Sequence, residues 1–273
     1  MERVRVRSRP PRPYPGSFNL AQGCPPRFAT LYRSGFRPRK RAPDTTGQEI
    51  APVNQDAPAP ADRPASLFPR RAAAEDVRGF LVHRGLLDEA AQAALMAAVG
   101  AIWQAAPPLH PVTRWGRPMS VAMTSAGALG WASDRRGYRY DPCQPDGRPW
   151  PAIPALLLDL WRSLTGPAVL PDSCLVNLYR AGARMGMHQD RDEADLSHPV
   201  VSISLGDDAL LRIGNPERGG TTQSLWLHSG DVVVMGGAAR LLHHGIDRIR
   251  PGRAALVPGG GRVNLTLRVA GPA

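Results

Sequence analysis

At 273 residues the chain is long enough for one large domain or two small ones with a real core. No run approaches the roughly 18 consecutive apolar residues of a membrane span, which excludes a membrane-crossing helix, and no membrane partner is expected. The net charge is +11, but eleven basic residues and one acid fall within residues 1–41 while the rest of the chain is close to neutral. Bulk charge is therefore weak evidence for nucleic-acid binding by the folded part.

Residues 1–66 form a basic, Pro/Arg-rich arm and linker without sustained hydrophobic periodicity, and they are expected to be disordered. Three readings compete for the arm: a phosphate-skimming extension, an Arg-rich transit peptide, or a segment with no specific role, including one translated from too early a start. Order is expected from about Leu67 or Phe68. Val77–His83 reads as one short strand. Asp88 caps a helix running to about Gln104, with Leu95, Val99 and Ile102 on one face, and Pro107, Pro108 and Pro111 end it. A Gly-, Pro- and aromatic-rich stretch from Trp115 to Trp150 follows, with turn signals at Gly137 and Asp146-Gly147. Residues 154–164 read as a second amphipathic helix.

From Cys174 the texture changes to short strands between turns: 175–179, 200–205, 210–213, 224–227, 231–235 and 263–269. Six or more such strands suggest a sandwich or barrel rather than a parallel βαβ sheet. The three cysteines (Cys24, Cys143, Cys174) are odd in number and widely spaced. They match neither a disulfide framework nor a zinc pattern, so a reducing cytoplasm is the expected compartment.

Chemistry is carried by three segments. In His188-Gln189-Asp190, side chains two apart on a strand or extended turn reach the same side. A further histidine, His243 or His244, arrives several strands later; adjacent residues alternate, so only one of the two can face inward. Gly245 beside them permits a close backbone approach. His228 and His198 read as surface or turn residues. Two imidazoles and one carboxylate suit non-haem Fe(II) with open positions, and Zn²⁺ is the competing metal. Downstream, Arg262, Asn264 and Arg268 alternate along one strand and can share an inward face. Buried arginines there require anions: a dicarboxylate co-substrate, or the protein's own acids. Asn177 and Tyr179 stand at matching parity on an earlier strand.

These residues resemble the AlkB family of Fe(II)/2-oxoglutarate-dependent dioxygenases, of the bacterial alkylated-DNA repair type. The matching segments are Leu175-Val-Asn-Leu-Tyr-Arg-Ala-Gly-Ala, His188-Gln-Asp-Arg-Asp-Glu-Ala-Asp-Leu, Pro199-Val-Val-Ser-Ile-Ser-Leu-Gly, Gly230-Asp-Val-Val-Val, His244-Gly-Ile and Arg262-Val-Asn-Leu-Thr-Leu-Arg. Upstream, Met119-Ser-Val-Ala-Met-Thr, Gly130-Trp131 and Gly137-Tyr-Arg-Tyr also match. The resemblance covers Leu67 to the C-terminus and leaves residues 1–66 without counterpart.

The resemblance implies an α+β, mainly β fold: a double-stranded β-helix (jelly roll) core with an N-terminal helical/β extension forming a nucleotide-recognition lid. Residues 67–273 would be a single dioxygenase domain, with 67–170 the extension and lid and 171–273 the core. It implies His188, Asp190 and His244 as Fe(II) ligands, which settles the choice between the adjacent histidines. Asn177, Tyr179, Arg262, Asn264 and Arg268 are implied as 2-oxoglutarate contacts, with O₂ as the second co-substrate. Trp131, Tyr138, Tyr140, Asp192 and Arg218 are implied to contact the alkylated nucleotide. The implied activity is oxidative demethylation of 1-methyladenine- and 3-methylcytosine-type bases, releasing formaldehyde and succinate. The implied partner is alkylated DNA, single-stranded or with the base flipped out, with RNA as a further candidate, and the protein is expected to be a monomer.

Base flipping is needed because the methyl lies inside a duplex, and Trp131 with the His188 ring would sandwich the base. Three departures stand out: Trp115-Gly-Arg-Pro where the lid often has a tyrosine, Met235 where a tryptophan is usual, and one extra residue between His244 and Arg262. Two alternatives are a dioxygenase acting on a protein or small molecule and a catalytically silent nucleic-acid-binding module.

Overall fold

The computed structural model describes residues 73–166, 168–252 and 255–271. The expected arm and linker, and the expected start of order near Leu67, lie outside the described residues. Among the described residues, no helix is long and apolar enough to cross a membrane.

The first element departs from expectation. Val77–His83 is not one strand but part of a hairpin, β1 (Glu75–Val77) and β2 (Phe80–His83). Arg78 and Gly79 both take positive φ (55° and 85°), the backbone of a two-residue hairpin turn. Helix α1 (Glu89–Ala105) starts where the sequence says: the Asp88 carboxylate accepts the Ala91 amide at 2.8 Å, satisfying one of the free N-terminal donors. Its buried face carries Leu95, Val99 and Ile102. The Trp115–Trp150 stretch holds three strands, β3 (Ala122–Gly127), β4 (Gly130–Asp134) and β5 (Gly137–Asp141), before α2 (Ala155–Thr165).

Eight strands follow: β6 (Ser173–Tyr179), β7 (Met185–His188), β8 (Val200–Gly206), β9 (Asp208–Ile213), β10 (Gln223–Leu227), β11 (Val232–Met235), β12 (His244–Arg250) and β13 (Arg262–Arg268). Strands β7 and β12 went unpredicted. The chain passes repeatedly between two facing sheets, and every pairing is antiparallel. One sheet runs β1-β2-β11-β8-β13-β6-β3 and the other β10-β9-β12-β7, with β4-β5 a separate hairpin. This is the double-stranded β-helix, and β1–β3 widen its larger sheet.

Strand parity decides where the site lies, because successive side chains leave a sheet on opposite faces. On β13, Val263, Leu265 and Leu267 join Cys174, Val176 and Leu178 of β6 in a core with the apolar faces of α1 and α2. The alternate residues, Arg262, Asn264, Thr266 and Arg268, face the space between the sheets, as do Asn177 and Tyr179. One face of the sheet is therefore an ordinary hydrophobic core, and the other is a polar chamber.

Candidate active site

The chamber is closed at its inner end by the large sheet and opens under the β4–β5 hairpin. An inner cavity of about 70 Å³ is lined by β6, β13 and the smaller sheet. An outer cavity of about 800 Å³ adds Trp131, Tyr138, Asp192 and Arg218. His188, Asp190 and Arg268 line both, so they stand at the junction.

His188 ends β7, directly opposite His244 at the start of β12. Close approach of these strands needs Gly245: a Cβ there would lie 2.6 Å from the Met185 carbonyl oxygen. The Gln189 side chain donates to the Pro216 and Leu241 carbonyls, pinning the segment that carries His188 and Asp190. Ligand atoms of His188, Asp190 and His244 all lie within 4.8 Å of one another. The His188 Nδ1 faces the Gly186 carbonyl at 2.9 Å and the His244 Nδ1 faces that of Leu242 at 3.0 Å. A carbonyl only accepts, so both Nδ1 atoms carry a proton, which leaves Nε2 as the ligating atom of each ring once its imidazole is neutral; the His188 Nε2 lies 3.6 Å from the Asp190 carboxylate. His243 turns the other way and is anchored to the Asn215 carbonyl.

Asp190 is held by a buried charge network that the sequence did not disclose. Arg268 donates through Nη2 and Nε to one Asp190 oxygen, at 2.8 and 3.2 Å. Its Nε also lies 3.2 Å from Glu193. The other Glu193 oxygen pairs with Arg240 at 3.0 Å, and Arg240 donates to the Asp190 and His198 backbone carbonyls. The Tyr140 hydroxyl donates to Glu193 at 2.7 Å. Burial alone would raise the Asp190 carboxyl, but Arg268 and His188 outweigh it and hold the group well below the usual carboxylate range. His244 is pushed down to about 4 by burial and by His188, which keeps its imidazole neutral and able to ligate.

The two arginines of β13 therefore differ. Arg268 pairs largely with the protein's own acids. Arg262, 1% exposed, touches no acid among the described residues; its Nη2 donates to the Ser204 hydroxyl at 3.0 Å, and its Nε and Nη1 have no hydrogen-bond partner among them. Its guanidinium lies 5.1 Å from the Tyr179 ring centre. Arg268 Nη1 and the Asn177 carbonyl oxygen are also unpartnered, whereas Asn264 spends its amide on Ser202, Ile203, Asn177 and Thr266. Unsatisfied buried guanidinium N–H groups are costly unless an anion reaches them. A dicarboxylate such as 2-oxoglutarate fits that demand.

At the mouth, the Trp131 indole N–H donates to Asp192 at 3.3 Å. Trp131 stacks on Tyr138, with ring centres 5.4 Å apart and 29° between planes. Asp192 is exposed at the mouth, and the partial desolvation of its carboxyl raises it above the usual range. Trp150 buttresses the hairpin by donating to the Asp141 carbonyl at 2.9 Å. Arg218 is exposed at the rim. Tyr140 is the exception among the expected nucleotide contacts: it is 5% exposed, bonded to Glu193, and lines neither cavity. Glu193 and Arg240 went unnoticed because nothing local marks a pair 47 residues apart.

Two inward imidazoles, one carboxylate and an unsatisfied guanidinium beside them define a non-haem iron site with room for an anionic co-substrate. Comparison with known proteins agrees. The model of the 2OG-Fe(II) oxygenase superfamily matches residues 79–268. An alpha-ketoglutarate-dependent dioxygenase AlkB homolog of Caulobacter vibrioides (strain NA1000 / CB15N) is 61% identical over 193 residues, covering 70% of this chain and 88% of the relative. The alpha-ketoglutarate-dependent dioxygenase AlkB of Escherichia coli (strain K12) is 46% identical over 165 residues, covering 59% of this chain and 76% of the relative. The solved structure of OsALKBH1 superposes with a TM-score of 0.61 at 29% identity, covering 71% of this chain and 99% of that one. The chain belongs to the AlkB family within the 2OG-Fe(II) oxygenase superfamily, and is a dioxygenase that uses Fe(II) with 2-oxoglutarate and O₂ as co-substrates.

Proposed function

We propose that this dioxygenase removes methyl groups from ring nitrogens of alkylated nucleobases, of the 1-methyladenine and 3-methylcytosine type, in DNA and as an extension in RNA. The observation that carries the reading is the placement of Trp131 and Asp192 in the same cavity wall as His188. An aromatic plane and a carboxylate stand there beside the ligand set. A methylated base of this kind is flat and cationic, so it gains both stacking on Trp131 and attraction to Asp192. A neutral small molecule or an uncharged peptide would gain little from that pair.

The geometry supports the following assignment of roles. His188, Asp190 and His244 would hold Fe(II), and Arg262, with Tyr179 and Asn177 beside it, would hold the distal carboxylate of 2-oxoglutarate. When bound, iron with 2-oxoglutarate and O₂ supplies the oxidant that hydroxylates the methyl carbon, giving succinate and CO₂; the hydroxymethyl group leaves the base as formaldehyde. The protein contributes position. Arg268, Glu193 and Arg240 keep Asp190 ionised and aimed, the two backbone carbonyls fix the imidazole tautomers, and the β4–β5 hairpin covers the base. Tyr140 acts through Glu193 and not on the nucleotide.

We further place the enzyme in the cytoplasm, a setting that its bacterial relatives support, and expect it to act as a monomer. The test is direct: purified protein, Fe(II), 2-oxoglutarate and a single-stranded oligonucleotide carrying one 1-methyladenine should yield the unmodified base and formaldehyde. Bound iron with no methyl loss from DNA or RNA would sink the proposal.

A further inference from the structure

Residues 112–118 form a tight finger over the outer cavity. Val112 bridges Pro118, the Thr113 amide donates to the Arg117 carbonyl at 2.8 Å, and the Gly116 amide donates back to Thr113 at 2.8 Å. Gly116 takes φ 77°, which turns the chain sharply and leaves Trp115 at the tip. Trp115 is 70% exposed, the most exposed large hydrophobic among the described residues. The Arg114 guanidinium lies 4.2 Å from its ring centre, and no other ring or cation stacks on it among the described residues.

An open indole held on a braced turn is a large apolar surface left in water. Its surroundings say what it waits for. Trp115, Arg114, Arg184, Arg191 and Arg218 line the same cavity as Trp131, whose only acids are Asp190 and Asp192. Neither Arg184, Arg191 nor Arg218 has an ion-pair partner among the described residues, and Arg114 has only the Trp115 ring. A cavity of about 800 Å³ also holds more than one base. An aromatic platform among free guanidinium groups suits a base joined to phosphates.

We infer that Trp115 is a stacking platform for the nucleotide next to the lesion, with the rim arginines on the adjoining phosphates. The inference rests on the nucleobase reading above and goes beyond it by naming a second base site.

The test is a cycle of affinities, measured anaerobically on the protein loaded with Fe(II) and 2-oxoglutarate. The probes are methylated single-stranded heptamers with normal neighbours, or with one abasic site immediately 5′ or 3′ of the lesion. Trp115→Ala should weaken binding of the normal heptamer about tenfold, as for loss of one stacked base. One of the two abasic probes should weaken wild-type binding by a similar factor. The two changes together should cost no more than either alone, and Trp115→Phe should restore most of the loss.

Additive effects, or a Trp115→Ala affinity equal to wild type, would overturn the inference. So would a Trp115→Ala change in self-association without a change in oligonucleotide binding, which would assign the tip to a protein contact. If wild type demethylates the heptamer yet ignores both changes, only this inference fails. If wild type neither binds nor demethylates any methylated strand, the functional reading fails with it.

Discussion

The inner end of the cavity and its mouth use arginine in opposite ways. Inside, Arg240 and Arg268 are buried and bonded to Glu193 and Asp190, so their charges are neutralised before any substrate arrives. At the mouth, Arg184, Arg191 and Arg218 have no acid partner among the described residues. Unpaired charge costs little in water and several kcal/mol when buried, so each arrangement suits its depth. A metal ligand must be aimed in advance, whereas a polyanion can be gripped on arrival. Arg262 breaks the rule: it is buried, and among the described residues it meets no acid, only the Ser204 hydroxyl and Tyr179. That exception is what the proposed co-substrate site rests on.

The contrast can be broken at its strongest point first. Asp190→Ala should reduce iron-dependent succinate release to background, a larger loss than the roughly 100-fold that removal of an outer-shell partner costs. Retained turnover would mean that the ligand set is misassigned. Next, Arg262→Met should raise the KM for 2-oxoglutarate about 100-fold, the worth of charge-assisted hydrogen bonds to a carboxylate. The same variant should melt higher than wild type without co-substrate, because it deletes a buried, unpaired cation. A lower melting temperature together with an unchanged KM would show that Arg262 is structural.

Glu193→Gln comes third. It should weaken iron binding about 10- to 100-fold by freeing Arg240 and Arg268 to pull Asp190 out of line. Tyr140→Phe should give a shift of only about three- to tenfold, one neutral donor being lost. Metal titration followed by tryptophan fluorescence checks both, and equal effects would break the proposed order. The smallest effect belongs to the arm. Deleting residues 1–60 should leave turnover intact and weaken oligonucleotide binding only at low salt, where phosphate contacts count most. A salt-independent loss would give the arm a specific role.

Much of this was legible because β13 alternates cleanly. Leu265 and Leu267 belong to one face and Arg262, Asn264 and Arg268 to the other, and two-residue periodicity needs no tertiary knowledge. His188-x-Asp190 was legible for the same reason. Strand β12 was not: Asp247, Arg248 and Arg250 face outward, and the register slips between Ile246 and Arg248, which erases the alternation. The β1–β2 hairpin was hidden because Arg78-Gly79 lacks the Asn-Gly or Asp-Gly signature of its turn. The fate of Arg268 depended on Glu193 and Arg240, partners that only folding brings within reach. The Trp115 finger was visible as a departure from the family pattern, but its exposure over the cavity was not.

The central claim is that the inner end oxidises a methyl group that the mouth presents. The most direct measurement is the ratio of formaldehyde to succinate with methylated and unmethylated versions of one single-stranded oligonucleotide. The expected result is one formaldehyde per succinate with the methylated strand, and only slow succinate release with the other. Equal succinate release on both, with no formaldehyde from either, would contradict it.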